Sequence, residues 1–136
     1  MKQEDKDLLL KDLCARLPYG VKMNHIADDE HSPKTLIGVA KDMITLEGHG
    51  GYECVDVEDY KPYLFPLSSM TEEQKKKYNC LKHTVFGYHY EFGDVVEEIE
   101  LYESPESFVY LIENHFDYYG LIPMGLANDA TGLNIY

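Results

Sequence analysis

The residues of this chain that could do chemistry are three cysteines, six histidines and many carboxylates. Cys80 and His83 have the C-x-x-H spacing of a zinc-ligand pair, and His49 with Cys54 could supply the other two ligands of a tetrahedral site. One such pair is weak evidence, because Cys80 also suits a small buried apolar position, the commonest role of a free cysteine. We therefore predict no metal site and no cofactor.

Nucleophilic catalysis has equally little support in the sequence. Cys14 lies on the apolar stripe of a predicted helix, which favours burial over reactivity. The chain contains neither a G-x-S-x-G elbow nor a G-x-x-x-x-G-K phosphate loop. Carboxylates are abundant, but no pattern marks one of them as desolvated. No catalytic residue is assigned, and a small hydrolase or metal-dependent enzyme using carboxylates or a Cys/His pair remains the alternative to a non-enzymatic protein.

The charge of the chain is strongly acidic and unevenly distributed. The formal net charge is −13. Residues 1–82 carry all 12 Lys and Arg and 15 of the 25 acidic residues, whereas residues 83–136 carry the other 10 acidic residues and no Lys or Arg. Direct nucleic-acid binding through the second part is disfavoured, because phosphate contacts need cations. This part is expected to be either a solvated face that maintains solubility or a surface for a basic partner.

Five residues are predicted to contact that partner. They are the acidic Glu97, Glu98 and Glu100 and the aromatic Tyr118 and Tyr119. The leading hypothesis is an interaction protein whose acidic C-terminal half binds an unknown, basic protein. Assembly of the chain with itself as a homo-oligomer is a further alternative.

Cysteine usage and hydropathy bear on the compartment. The odd number of cysteines at unrelated spacings argues against a disulfide framework and predicts a reducing compartment. The first residues lack the apolar region of a secretory signal, and no run of about 18 apolar residues occurs that could span a membrane. We expect a cytoplasmic protein with no membrane partner.

The first half of the chain predicts one helix followed by short strands. Apolar residues at helical spacing predict a helix over residues 4–17, which Pro18 ends. The stripe consists of Leu9, Leu10, Leu13, Cys14 and Leu17. Alternating segments and glycine-rich turns between residues 20 and 67 predict a small antiparallel sheet, either open or partly closed into a barrel. Pro62 and Pro66 argue against a central strand around them.

Two helices are predicted in the second half. The first begins at a capping box, formed by Thr71 with Gln74 or by Ser69 with Glu72, and its thin apolar line predicts a surface position. The last begins at Ser104, a favoured N-cap residue.

Between these helices the pattern is ambiguous. Residues 86–92, FGYHYEF, alternate in a way that leaves strand and helix open. After Gly93 the apolar residues recur at helical spacing and favour a third helix, through Val95, Val96, Ile99 and Tyr102.

The last segment, FDYYGLIPMGLANDATGLNIY, is irregular and apolar. Its glycines and proline exclude a stable helix, yet residues 121–126 are too apolar to be left in water. We predict that residues 116–126 cover the core as part of the fold, and that only residues 127–136 are free to vary.

Three blocks of the sequence support a resemblance to a known family. KDLCARLPYGVK, KPYLFPLSSMTEEQ and NHFDYYGLIPMGLA resemble blocks of an uncharacterised family of short proteins from gut anaerobes, often encoded among prophage or other mobile-element genes. The resemblance implies a small accessory protein of mobile-element origin and transfers no site residue. The sequence as a whole predicts one α+β domain over residues 1–136. It has an N-terminal helix on a small antiparallel sheet, two or three further helices and an irregular C-terminal cover segment.

Overall fold

A computed structural model describes the backbone of residues 1–29, 31–91 and 94–136, and the side chains of residues 1–29, 31–82 and 103–136. The elements in chain order are α1 (Gln3–Arg16), β1 (Lys22–His25), β2 (Lys34–Ala40), β3 (Met43–Gly48), β4 (Gly51–Asp56), β5 (Tyr60–Leu64), α2 (Glu72–Leu81), β6 (His83–Glu91), β7 (Asp94–Tyr102), α3 (Pro105–Glu113) and β8 (Asn128–Asp129). The fold class is α+β, as predicted.

The chain divides into two compact units, the larger formed by residues 1–69 and 112–136 and the smaller by residues 70–111. The larger unit holds a six-stranded sheet and the smaller a two-stranded one. The assignment of residues 1–136 to a single domain stays a prediction. None of the described helices combines the length and apolar character that crossing a bilayer requires.

The six-stranded sheet has the order β4-β3-β2-β1-β5-β8. The first five strands pair antiparallel with their neighbours, whereas β8 pairs parallel to β5 through Tyr63↔Asn128 and Leu64↔Asp129. The sheet is therefore mixed and open, and the alternative of a partly closed barrel is wrong. A barrel would require β4 to pair with β5. Instead β8, from the C-terminal segment, pairs with β5, and β4 is left as the opposite edge of the sheet.

The hydrophobic core of the larger unit lies between α1 and one face of this sheet. Its fully buried members include Leu9 and Leu13 of α1, Met23 of β1, Leu36 of β2 and Leu46 of β3. Strand alternation places the inward residues of neighbouring strands side by side, so that one face of the sheet is apolar where α1 covers it.

The buried face of α1 differs from the predicted stripe. Leu9 and Leu13 are buried as expected, but Asp12 and Arg16 are buried beside them, and Cys14 is exposed. The helix is therefore rotated about its axis so that positions i, i+3, i+4 and i+7 from Leu9 face the core.

β5 lies inside the sheet although it contains Pro62. Pro62 is opposite Met23 of β1, and β8 pairs only with the next two residues, Tyr63 and Leu64. At Pro62 the strand therefore has a neighbour on one side only, where a residue without an N–H is tolerated. The expectation from Pro62 against a central strand is wrong for β5 as a whole, whereas at Pro62 itself the strand has the single neighbour that a proline permits.

In the smaller unit, α2 begins at the predicted capping box. The Thr71 hydroxyl accepts a hydrogen bond from the Gln74 N–H, and the Gln74 side chain accepts one from the Thr71 N–H. The helix has no buried residue, which confirms the predicted surface position. α3 begins at Ser104, whose hydroxyl accepts a hydrogen bond from the Ser107 N–H.

The segment between these helices is a β-hairpin. The backbone of β6 pairs antiparallel with that of β7 from His83↔Tyr102 to Glu91↔Asp94. This resolves residues 86–91 as strand, and the helix expected after Gly93 is wrong. A strand gains its hydrogen bonds from a partner, so pairing with β6 overrides the helical spacing of the apolar residues in β7.

The C-terminal segment is held to the sheet at several points up to Tyr136. Ala127 and Ala130 are buried, and the Ala130 N–H donates to the Leu64 carbonyl at 2.8 Å. The Tyr136 hydroxyl donates to the Tyr63 carbonyl at 2.7 Å and accepts from the Lys22 N–H at 2.9 Å. The expectation that residues 127–136 are free to vary is wrong, because they supply a strand and a side chain that tie β5 to β1.

Candidate functional site

The five residues predicted to contact a partner fall in two parts of the chain. The backbone of Glu97, Glu98 and Glu100 lies in β7, and their side chains lie outside the described residues. Tyr118 and Tyr119 follow α3 in the larger unit, and both are half-buried. The structure gives side-chain geometry for the two tyrosines only, and the contact role of all five residues stays a prediction.

The two tyrosines have contacts of their own in the larger unit. Their rings meet edge to face with centroids 4.9 Å apart. The Lys11 ammonium of α1 lies 5.5 Å from the centroid of the Tyr119 ring, within the range of a cation–π contact, and Tyr119 also packs against the core. Tyr119 therefore contributes to the fold as well as to the surface.

Four described carboxylates in residues 103–136 are exposed, namely those of Glu103, Glu106, Glu113 and Asp129. Glu103 accepts hydrogen bonds from the hydroxyls of Tyr78 and Ser107, both at 2.5 Å. Within the described part of the chain, none of the four forms an ion pair with Lys or Arg. These groups leave their charge open to solvent or to a partner.

The cysteines do not take the buried positions that the sequence suggested. Cys14, Cys54 and Cys80 are all free and exposed. The burial expected for Cys14 and Cys80 is wrong because each lies on the solvent side of its helix. The His83 side chain lies outside the described residues, and in the described part of the chain no group of three His, Cys, Asp or Glu is arranged to hold a metal ion.

At one end of the six-stranded sheet, polar side chains from four strands come together. We call this group the rim cluster: His25 of β1, Lys34 of β2, Glu53 of β4 and Tyr60 of β5. The Lys34 ammonium and the Tyr60 hydroxyl both donate to Glu53 Oε1, the latter at 3.4 Å. The His25 ring meets the Tyr60 ring edge-on, with centroids 5.2 Å apart.

Three groups of the rim cluster, Lys34, Glu53 and Tyr60, have pKa values shifted away from neutrality. The hydrogen bond to Glu53 raises the pKa of Lys34, and the same bond lowers the pKa of Glu53. Burial raises the pKa of the Tyr60 hydroxyl. Each shift moves the pKa away from neutrality, whereas a general acid or base needs a pKa near the working pH. The geometry suits an ion pair that positions strands better than it suits proton transfer.

A cavity of about 220 Å³ lies beside this cluster, lined by Lys34 and by residues 48–53 of the β3–β4 turn. A Cβ atom at Gly48 would lie 3.0 Å from Lys34 Cγ, so a larger residue there would displace the lysine stem by a few tenths of an ångström. The cavity is smaller than the roughly 300 Å³ at which ligand pockets usually begin. It can admit only a small polar molecule.

The second polar group of the larger unit is fully buried. Arg16 donates to Asp12 through Nε at 2.6 Å and Nη2 at 3.1 Å, and Nη2 also donates to the Phe116 carbonyl at 2.6 Å. Burial raises the pKa of Asp12, and the nearby Asp117 carboxylate raises it further, while Arg16 opposes both effects. The pair joins α1 to the segment after α3.

Asp117 organises the turn that follows. Its two carboxylate oxygens accept hydrogen bonds from the N–H groups of Leu121 and Ile122 at 2.7 and 2.9 Å. The carboxylate therefore satisfies backbone donors that the irregular segment would otherwise leave unpaired in the interior.

His115 and Tyr136 lie near the buried Arg16 and are themselves partly exposed. Their rings stack with centroids 3.7 Å apart and an interplanar angle of 10°. Burial and the charges of Arg16 and Lys22 lower the pKa of His115 to about 4, so the imidazole is neutral near pH 7. Tyr136 as a residue is 43% exposed, but its hydroxyl lies between β1 and β5, where burial raises its pKa.

The sequence analysis missed both polar groups. Asp12 and Arg16 stand four residues apart on a helix, a spacing that permits an ion pair but does not predict its burial. The rim cluster joins residues from four strands whose pairing the sequence does not specify. Tyr136 offered one signal, an aromatic residue in a stretch of mostly small and polar residues.

Comparisons of the chain with protein-family models, with curated proteins and with solved structures find no match. Function must therefore be argued from the residues and their arrangement alone.

Proposed function

We propose that this protein is a non-enzymatic accessory protein that binds a basic protein partner through the acidic surface of its C-terminal half. One observation carries the proposal: residues 83–136 contain 10 acidic residues and no Lys or Arg, and the described carboxylates of Glu106, Glu113 and Asp129 are exposed without an ion-pair partner.

Such a surface carries a free-energy cost that a partner can remove. The carboxylates repel one another, and no Lys or Arg in this half of the chain offsets that repulsion. A partner bearing Lys or Arg offsets it on binding. The attraction also accelerates encounter and weakens as salt screens it, with a screening length of about 10 Å at 0.1 M salt. Salt-dependent association is therefore the signature of this function.

The remaining predicted contacts would add negative charge and aromatic side chains from other parts of the C-terminal half of the chain. Glu97, Glu98 and Glu100 supply further negative charge in β7, and the partly exposed rings of Tyr118 and Tyr119 supply aromatic contact area of the kind that is enriched in protein interfaces. The rim cluster lends no particular support to the hydrolase alternative, since its carboxylate, Glu53, is engaged by Lys34 and Tyr60.

The test uses a fluorescently labelled lysine-rich peptide and two matched double variants. Glu106→Lys with Glu113→Lys reverses two charges in the acidic half, whereas Asp7→Lys with Asp29→Lys makes the same net change among exposed residues of the other half. The acidic-half variant should weaken binding by about tenfold, or 1.4 kcal/mol, at low salt, and the control by much less.

Anisotropy titrations at low and raised salt measure both effects, and circular dichroism confirms that the variants fold. Equal weakening by the two double variants would mean that only net charge matters and would refute the proposed surface. Absence of binding at low salt would refute the basic partner altogether.

The resemblance to a mobile-element family suggests where a physiological partner is encoded. We propose that the genes on either side of this one include it. Purified products of those genes, tested with the same pair of double variants, extend the peptide experiment to the natural partner.

A further inference from the structure

The β4 edge of the six-stranded sheet is long and open. β4 has six residues and lies last in the strand order, whereas the strand at the opposite edge, β8, has two. Within the described part of the chain, no segment pairs with the outer side of β4. An antiparallel strand directs the backbone groups of alternate residues away from its neighbour, so β4 presents a row of donors and acceptors outward.

β4 carries the charged residues Glu53 and Asp56 but lacks the lysine, the proline and the bulge with which proteins often protect an edge. Its sequence, GYECVD, contains neither lysine nor proline, and its pairing with β3 runs without a register shift from Met43↔Asp56 to Gly48↔Gly51. Tyr52 is 72% exposed, Cys54 is exposed, and on the neighbouring strand Met43 is 43% exposed. Their positions in the register place all three on the face of the sheet opposite the core.

The charge around this edge indicates what could pair with it. Residues 51–59 contain four carboxylates and no Lys or Arg. Glu53 is paired with Lys34 and Glu58 with Lys6, while Asp56 and Asp59 form no ion pair with a described cation. A second copy of this chain would bring two net charges of −13 together, so a cationic segment is the better electrostatic match.

We propose that β4 binds an extended peptide segment bearing Lys or Arg, which adds to the sheet as a seventh strand. Backbone hydrogen bonds to β4 provide the affinity, and alternate side chains of the segment meet Tyr52 on one face. The carboxylate of Asp56, the last residue of β4, selects cations in the segment. This goes beyond the proposed function, because it concerns a different surface from the acidic C-terminal half.

The three exposed cysteines allow a direct test. Cys54 lies on β4, whereas Cys14 lies on α1 and Cys80 on α2. The probe is a synthetic peptide of about ten residues that alternates Lys with Val, a length that matches a long strand. With this peptide at about ten times its Kd, roughly one site in ten stays free, so alkylation of Cys54 should slow by up to about tenfold. The rates at Cys14 and Cys80 should not change.

A second peptide and two variants separate strand addition from simple charge attraction. The control peptide has the same lysines with Pro in place of Val, so it keeps the charge but cannot form a ladder. Tyr52→Lys introduces an edge lysine and should weaken the Lys-Val peptide about tenfold, or 1.4 kcal/mol, whereas Ile37→Lys, at an exposed position of β2 inside the sheet, should have little effect. Glu106→Lys with Glu113→Lys should leave the protection of Cys54 intact, which keeps this result independent of the proposed function.

Equal protection by both peptides, or none by either, would overturn the proposal. So would a concentration-dependent dimer linked by Cys54 in the absence of peptide, because it would make a second copy of this chain the natural occupant of the edge.

Discussion

Two of the ion pairs in the larger unit have similar chemistry and opposite settings. In the Asp12–Arg16 pair neither side chain is exposed, and in the Lys34–Glu53 pair the side chains are 34% and 41% exposed. Both link a carboxylate to a cation by a short hydrogen bond. They differ in how many other groups depend on them and in how much water surrounds them.

The buried pair is a junction. Arg16 binds Asp12 of its own helix and the Phe116 carbonyl 100 residues later in the chain, and Asp117 next to that carbonyl organises the following turn. Removal of either partner leaves an uncompensated charge in the interior, which costs far more than the pair itself contributes. The exposed pair joins two strands that their own ladders already hold in the sheet.

This difference separates structure from binding. A side chain whose internal contact is needed for folding cannot break that contact to bind a ligand. A solvent-screened ion pair can exchange one partner for another at little cost in free energy. The two surfaces that we propose for binding, the β4 edge and the exposed carboxylates, consist of such exposed groups, and the buried polar group stabilises the fold. Four predictions test this contrast.

The largest effect is expected from Asp12→Asn, which keeps the shape of the side chain and removes its charge. The free energy of unfolding should fall by about 3–5 kcal/mol, because Arg16 stays buried without its counter-charge. Urea denaturation measures this, and Asp7→Asn at an exposed position of the same helix is the control.

If Asp12→Asn does not fold, the double variant Asp12→Leu with Arg16→Met tests the same point. Replacement of both partners by apolar residues should restore much of the stability. A single variant that unfolds at the same urea concentration as the wild type would contradict the assigned role of the pair.

The next effect concerns pH. The pKa of His115 is about 4 in the folded protein against 6.5 when unfolded, so the unfolded chain binds more protons between these values. The contribution of His115 to stability is complete above about pH 6.5 and is lost as the pH falls towards about 4. Because the ring is only partly buried, the loss should not exceed about 2 kcal/mol.

The matched variant is His115→Phe, which keeps a ring against Tyr136 and cannot titrate. The difference in unfolding free energy between wild type and variant, measured from pH 7 to pH 4, isolates His115 from the surface carboxylates. A difference that does not change over this range would show that His115 can be protonated without cost in the folded protein.

A smaller loss is expected for Tyr136→Phe. This change removes the hydroxyl that connects the Lys22 N–H to the Tyr63 carbonyl and should cost about 1–2 kcal/mol. Tyr52→Phe, at a hydroxyl with no described hydrogen-bond partner on a 72% exposed residue, should cost almost nothing by comparison. Equal melting temperatures for the two variants would mean that Tyr136 does not hold the C-terminal segment to the sheet.

The smallest effect is expected at the rim cluster. Lys34→Met keeps most of the stem against Gly48 and removes the charge, and should cost less than about 1 kcal/mol, with a smaller difference still at high salt. A loss as large as that of Asp12→Asn would erase the contrast between the two pairs and make the rim cluster part of the core.

The sequence predicted where helices begin better than it predicted which elements pack or pair with one another. α2 and α3 begin where the capping residues Thr71 and Ser104 indicated, because a cap depends only on residues within one turn. β7 was predicted as a helix because its apolar residues recur at helical spacing, and the choice depends on β6, a partner that the spacing does not reveal. The solvent exposure of Cys14 depends on the rotation of α1, which the apolar stripe did not specify.

The candidate surfaces divide in the same way. The acidic character of residues 83–136 follows from composition and needs no structure. The open β4 edge could not be predicted. The sequence pattern indicates where strands lie along the chain, but not which strands pair and which strand is at the edge of the sheet.

Composition, capping residues, turn glycines and apolar periodicity thus determined the α+β class, the first helix and the acidic half of this protein. These features act through neighbours within a few residues or through simple sums of charge. Only the tertiary structure decided that Asp12 and Arg16 are buried, that Tyr136 bridges two strands and that β4 ends the sheet. Each of these depends on contacts between residues far apart in the chain, whose energies outweigh local preferences only after the whole larger unit has folded.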